Sequence, residues 1–349
     1  MKNTIRLISL GIISIFFSFF IISCGGGGGG GGTTPTPTPT PTAVITTDNV
    51  VEVAAEVFGS SDIVIQGADT SQIALGVDVT MQNQNIGITD LIIWQVQDIE
   101  ENKTELFSQT YVTGVIISDT VPCDEGSMSL SINDADNNDE LSAGDSMTAT
   151  YNNCVINTSE VFFYANGVLS MTFNSFSGDF INSVTFDVTT TFTNLLIDTP
   201  DDSAEVTGDM RLYFSFSGNN VEMIASGNTF SYTDVNGTTR TLTNYTLDIS
   251  SSDNMASSTL IYDGTLSDSQ TLGGPIVFET VTPFTVTSTS NYPRSGQLIA
   301  EGGKPEGAQF ASSFQLTVID NGQVQLEVDS DGDGVYENSK TVDWTQVDL

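Results

Sequence analysis

Ser183-Val184-Thr185-Phe186-Asp187-Val188-Thr189 alternates apolar and polar residues without a break. Successive side chains on a strand point to opposite faces, so Val184, Phe186 and Val188 share one face and the polar residues share the other. The same period of two recurs in Leu212-Phe214-Phe216, Tyr245-Leu247-Ile249 and Val324-Leu326-Val328, and Ile92-Trp94-Val96 is read the same way. One apolar face and one face of Thr, Ser, Asn and Asp is the pattern of antiparallel strands half exposed to water.

The turns between these runs point the same way. Val235-Asn236-Gly237-Thr238 reads as a two-residue hairpin, because Asn and Gly tolerate the positive φ such a turn needs. Asp320-Asn321-Gly322 joins Phe314-Leu316-Val318 to Val324-Leu326-Val328 in a register whose paired numbers sum to 642. Ser217-Gly218-Asn219-Asn220 reads as a third turn. The expected fold is therefore all-β: a large antiparallel meander curled into a barrel, a half barrel or a sandwich. One helix is expected before it, with Val50, Val53, Ala54 and Val57 on one face, Asp48 as its cap and Gly59 as its stop.

At the amino end, Lys2 and Arg6 precede an apolar run from Leu7 to Ile22, which reads as a secretory signal over residues 1–23. Ile21-Ile22-Ser23-Cys24 resembles the lipobox of bacterial lipoproteins. That resemblance implies lipidation at Cys24, a membrane anchor and, with Gly25 rather than Asp next, the outer membrane, on its periplasmic side or at the cell surface. The alternative is an uncleaved membrane helix. Residues 24–43 carry Gly25 to Gly32 and Thr-Pro repeats that can bury no core and read as a stalk on the order of 40 Å long. Residues 44–349 are left as the β-rich domain.

Asp and Glu number 44 against eight Lys and Arg, a formal charge of −36 that deepens when Lys2 and Arg6 leave with the signal. A field of that sign excludes nucleic acid as a partner and attracts divalent cations and basic partners. A solvated acidic surface suited to salty water accounts for the same numbers. With Cys24 taken by lipid, Cys123 and Cys154 form an even pair that an exported chain is expected to oxidise. A hairpin register summing to 277 supports the bond, since it sets Leu130 opposite Met147, Met128 opposite Ala149 and Cys123 opposite Cys154. Two buried free thiols are the alternative.

The sharpest chemical signal is Asp134-Ala135-Asp136-Asn137-Asn138-Asp139-Glu140-Leu141-Ser142-Ala143-Gly144-Asp145. It resembles the twelve-residue calcium loop of EF-hands and dockerins, with Asp134, Asp136, Asn138, Ser142 and Asp145 at ligand positions and Glu140 offering its backbone carbonyl. Alternate side chains on a tight loop converge hard oxygens on one cation. Asp139 departs from that pattern by standing where glycine makes the bend, and the flanks read as strands. Asp329-Ser330-Asp331-Gly332-Asp333-Gly334 resembles the same loop type. Its ligands would be Asp329, Asp331 and Asp333, with Glu337 replacing the missing carboxylate at position twelve, where Lys340 stands. Both loops read as structural calcium sites, with metal-free acidic turns as the alternative.

The chain has no histidine, which removes imidazole-based triads and imidazole zinc sites. The glycine tract lies in the stalk, so it is no phosphate loop. The overall plan resembles uncharacterised Gram-negative lipoproteins with a polyglycine or Pro-Thr stalk, a Cys-bracketed acidic hairpin and a late DxDxDG hairpin ending near Trp344. The expectation is a non-enzymatic envelope lipoprotein whose calcium-stabilised β module binds a protein, glycan or lipid or supports the envelope. Two other readings are a carrier whose half barrel holds a lipophilic ligand against Trp94, Phe173, Phe186, Phe214 and Phe216, and a glycan hydrolase using two carboxylates.

Overall fold

The computed structural model describes residues 43–65, 88–108, 116–157, 162–198, 203–218, 220–252, 256–287, 290, 292–320 and 322–347 of the chain. The residues read as signal, Cys24 and all of the stretch read as stalk except Ala43 lie outside the described residues.

Fourteen strands follow one another in a single sheet: β1 (Ile116–Pro122), β2 (Ser127–Asn133), β3 (Ser146–Asn157), β4 (Phe162–Asp179), β5 (Ser183–Asp198), β6 (Ser203–Ser217) and β7 (Asn220–Asp234), then β8 (Thr239–Ser252), β9 (Ser257–Asp268), β10 (Ile276–Thr287), β11 (Ser295–Glu301), β12 (Ser313–Asp320), β13 (Gln323–Asp329) and β14 (Asn338–Asp343). Each strand pairs only with its chain neighbours, and each resolved pairing is antiparallel. The all-β meander is thus the fold that forms, and β1 and β14 remain as edges, so the sheet is open and not a closed barrel.

Helices, not a second sheet, cover its apolar face. Helix α1 (Val50–Ile65) touches β8, β9 and β13. Strands five apart in a flat sheet lie about 24 Å from one another, twice the roughly 10–12 Å width of a helix with its side chains. One helix reaches both because the sheet curls around it. Phe58 of α1 packs edge-on against Phe284 of β10 and against Trp344, both with ring centroids 5.3 Å away. Ser60 Oγ lies 2.7 Å from the Tyr262 hydroxyl of β9. Phe173, Phe186 and Phe214, considered above as a ligand lining, are buried in this core, as is Phe216. Trp94 is half-buried and packs against it.

Several sequence expectations are corrected here. Ile92-Trp94-Val96 belongs to a second helix, α2 (Ile88–Ser108), and not to a strand. Its buried residues Ile88, Leu91, Ile92, Val96 and Ile99 recur at three- and four-residue steps, and Glu100 with Lys103, three residues on, closes an ion pair along one side. Helix α1 is capped by Thr46 rather than Asp48. Thr46 N donates to Asn49 Oδ1 at 2.7 Å, Asn49 N returns a bond to Thr46 Oγ1, and Val50 N already bonds Thr46 O, a capping box closed by Asn. Nor does Gly59 stop it, because Phe58, Ser60 and Ser61 on either side are buried against the sheet.

The 642 register between β12 and β13 is observed, with Leu316 opposite Leu326 and Val318 opposite Val324. In the β2–β3 hairpin the sum is 279, with Leu130 opposite Ala149 and Ile132 opposite Met147. Cys123 nevertheless bonds Cys154, with Cα atoms 5.4 Å apart. It does so from the turn between β1 and β2, which folds over a bulge in β3 where Asn153 takes φ 47°. Val155 N donates to Glu125 O across this fold. Gly126 is required there, since a Cβ would lie 1.9 Å from Asn153 O. The Asn236-Gly237 turn is longer than expected. Gly237 N bonds Asp234 O, Gly237 alone takes positive φ, and Asp234 Oδ1 accepts from Asn236 N and Thr238 N.

Candidate metal centres

Asp134 stands just after β2 and is buried, while Asp145 stands just before β3 and is fully buried. The connection between them folds around Asp134. Its Oδ1 accepts from Asn137 N at 2.7 Å and Asn138 N at 3.3 Å, and its Oδ2 accepts from Asp139 N at 3.0 Å. Glu140 N donates to Asn138 Oδ1 at 2.7 Å. Leu141 of the same loop is buried.

The loop between β13 and β14 repeats this cradle. Asp329 Oδ1 accepts from Gly332 N at 2.7 Å and Asp333 N at 3.3 Å, and Oδ2 accepts from Gly334 N at 2.8 Å. Val335 N donates to Asp333 Oδ1 at 2.8 Å. Positive φ falls at the fourth and sixth positions of both loops: Asn137 at 58° and Asp139 at 59° in the first, Gly332 at 69° and Gly334 at 90° in the second. Asn and Asp are the residues other than glycine that visit this region most readily. The aspartate at the bend is therefore accommodated by the same backbone turn.

Oxygens of Asp134, Asp136 and Asp145 lie within 4.8 Å of one another, as do those of Asp329, Asp331, Asp333 and Glu337. Two oxygens on opposite sides of a calcium ion at 2.3–2.6 Å are separated by about 5 Å, so each set fits one cation shell. Hard carboxylate oxygens are also the donors that calcium takes. Asp136 Oδ2 is further tied to Asn138 Nδ2 at 3.1 Å and Ser142 Oγ at 3.3 Å. Asp145 Oδ1 accepts from Ala135 N and its Oδ2 from Ser142 N, which brings position twelve back to position one. The Glu140 side chain is exposed and stands outside the carboxylate set, in keeping with a backbone role.

Each loop is held from a second side. Gly144 N donates to Phe173 O and Phe173 N to Asp145 O, both at 2.8 Å, so the first loop is fastened to β4. In the second, Gly332 O accepts from Gln309 N and Phe310 N of the β11–β12 connection. Neither clamp was anticipated from the sequence, because the partners are distant in the chain and carry no motif. The β11–β12 connection also receives the amino end of the domain: Gly303 N donates to Ala43 O, and Ile45 N to Ser312 Oγ.

In comparisons with known proteins, no family model matches the chain, and neither a curated protein nor a solved structure matches it. No helix among the described residues is long and apolar enough to cross a membrane.

Proposed function

We propose that the chain is a non-enzymatic lipoprotein of the cell envelope, anchored through Cys24, whose β module is stabilised by calcium in the two acidic loops. The observation that carries this reading is the coincidence of the loops. Two segments of different sequence, one bent at Asp139 and the other at Gly334, share one hydrogen-bond cradle and one pattern of φ, and both gather carboxylates to the same spacing. Carboxylates brought this close repel one another unless a cation lies between them. The Cys123–Cys154 bond supports export, since such bonds persist in oxidising compartments.

Calcium in this reading fixes strand connections. Asp134, Asp136, Asn138, Ser142 and Asp145, with the Glu140 carbonyl, hold it between β2 and β3. Asp329, Asp331, Asp333 and Glu337 hold it between β13 and β14. The test is thermal melting of the full chain with calcium and with EDTA, beside calorimetric titration. A melting point several degrees lower in EDTA is expected. Asp136→Asn combined with Asp331→Asn, which keeps side-chain shape, should remove the difference. Unchanged melting in EDTA together with no heat of calcium binding would sink the calcium role. The anchor is tested separately: Cys24→Ser should move the protein from the membrane fraction to the soluble fraction.

A further inference from the structure

A groove of about 500 Å³ opens on the side of the sheet opposite the buried aromatics, across β5 to β8. It exists because two strands are irregular there. On β7, Gly227 has no side chain, and a Cβ at that position would meet Asp209 O at 2.4 Å and the Tyr245 ring at 2.8 Å. On β8, Asn244 is bulged at φ 48°. The floor is therefore backbone backed by Tyr245, whose hydroxyl donates to Asp209 O at 3.0 Å. The walls are Thr189, Arg211, Ser226, Asn228, Asn244 and Thr246.

The polar groups in these walls divide into two sets. The carboxylates are already satisfied. Asp209 accepts from Asn228 N, Asn228 Nδ2 and Thr229 N. Asp187 beside the groove accepts from Arg211 Nε and Nη2 and from Asn174 Nδ2. The Arg211 hydrogen bond holds the Asp187 carboxyl below the usual range, so the pair is charged at neutral pH. A second set makes no hydrogen bond among the described residues: Arg211 Nη1, the Asn244 amide and the hydroxyls of Ser226 and Thr246. These offer donors and acceptors together.

Ligand class follows by exclusion. A lipophilic ligand meets walls that are more polar than apolar. An anion meets an arginine already neutralised by Asp187, in a chain of net charge −36. A cation meets a single carboxylate in the lining, Asp209, and no converging set of them. What fits is a neutral molecule that both donates and accepts at several points, and the volume lies within the ordinary range of small-ligand sites. We infer that this groove binds a neutral, hydroxyl-rich glycan, with Arg211, Ser226, Asn244 and Thr246 as its hydrogen-bonding contacts. The inference depends on neither calcium nor the lipid anchor.

The experiment is titration of the full chain with maltotriose, cellotriose and chitotriose, and with the acidic trigalacturonate, followed by NMR or calorimetry, after an array of neutral and acidic glycans has ranked candidates. Binding of a neutral oligosaccharide at millimolar strength or better is expected. Asn244→Gly, which suits the positive φ, and Thr246→Val should each weaken it about tenfold, and Arg211→Ala should do so by more, while Lys304→Ala, remote in sequence and outside the groove, changes nothing. Failure of every neutral glycan to bind, preference for the acidic one, or binding that survives all three groove variants would overturn the inference.

Discussion

Asp98 lies on the side of α2 that faces the sheet, near Tyr151 of β3, whose hydroxyl is buried and has no hydrogen-bond partner among the described residues. Burial first, and then the neighbouring Glu101, push the Asp98 carboxyl up to about 6, against a weaker opposing bond from Asn102 Nδ2. A carboxyl raised in the folded state binds its proton more tightly there than in the unfolded chain. Its contribution to stability is therefore present in full below about pH 4 and is lost as pH rises through 6. Above that, the folded state must carry a poorly solvated charge, at a cost on the order of 1–3 kcal/mol. Asp98→Asn keeps the bond geometry without the charge. It should raise the melting temperature at pH 7.5 and leave it nearly unchanged at pH 4, as read from melts across that interval. A gain of equal size at both pH values would mean that the effect is not titration of this carboxyl.

Helix α1 is fastened to the sheet by Arg240 of β8. Its guanidinium donates to both oxygens of Glu56, at 2.5 and 3.0 Å, and to Asp234 Oδ2 at 3.2 Å, with Asp268 Oδ2 at 3.8 Å and the Tyr232 ring 5.6 Å beneath. One cation thus serves three largely buried acids. Replacing it strands them, and removal of one partner from a buried network of this kind costs roughly 3–5 kcal/mol. Arg240→Met should lower stability by that amount in urea denaturation, more than Lys103→Met, which breaks the more exposed Glu100 pair on α2. Equal losses would show that α1 is held by its apolar face alone. The sequence made the meander and the two acidic loops readable, because period-two alternation and ligand spacing are local. It left α2 unread, since Ile92, Trp94 and Val96 satisfy a strand pattern over five residues and reveal the helix only over the full span of Ile88 to Ile99. It also hid the bulges. In β5 the buried residues of the apolar face run Val184, Phe186, Val188, Thr190, Phe192 and then shift to Leu195 and Ile197, with Asn194 at φ 45°. In β8 they shift from Leu242 to Tyr245 across Asn244. Each extra residue moves the strand half a period and keeps the apolar residues inward. In the β2–β3 hairpin the register differs by two from the one drawn by alternation, and the cysteines still meet because Cys123 comes from the β1–β2 turn and not from the ladder.

Across the whole molecule, a net charge of −36 is spread over a sheet that curls rather than closes. Lys103, Arg211 and Arg240 are committed to Glu100, Asp187 and the Glu56 cluster, so most of the 44 acids have no cation beside them. Bringing them together on folding opposes the compact state. That repulsion is long-ranged, and salt shortens its reach from about 30 Å at 10 mM to about 3 Å at 1 M. With EDTA present throughout, raising sodium chloride between those limits should therefore raise the melting temperature steadily. Calcium in the loops acts differently, because a bound ion stabilises by mass action at low concentration. About 1 mM calcium chloride should then add a further rise that sodium chloride of equal ionic strength does not reproduce. The two effects separate by their dependence on the loop carboxylates: Asp136→Asn with Asp331→Asn should remove the calcium increment and leave the sodium slope almost intact, since two charges of 44 are altered. If sodium alone produced the whole rise, the acidic loops would be screened like the rest of the surface and would hold no ion of their own.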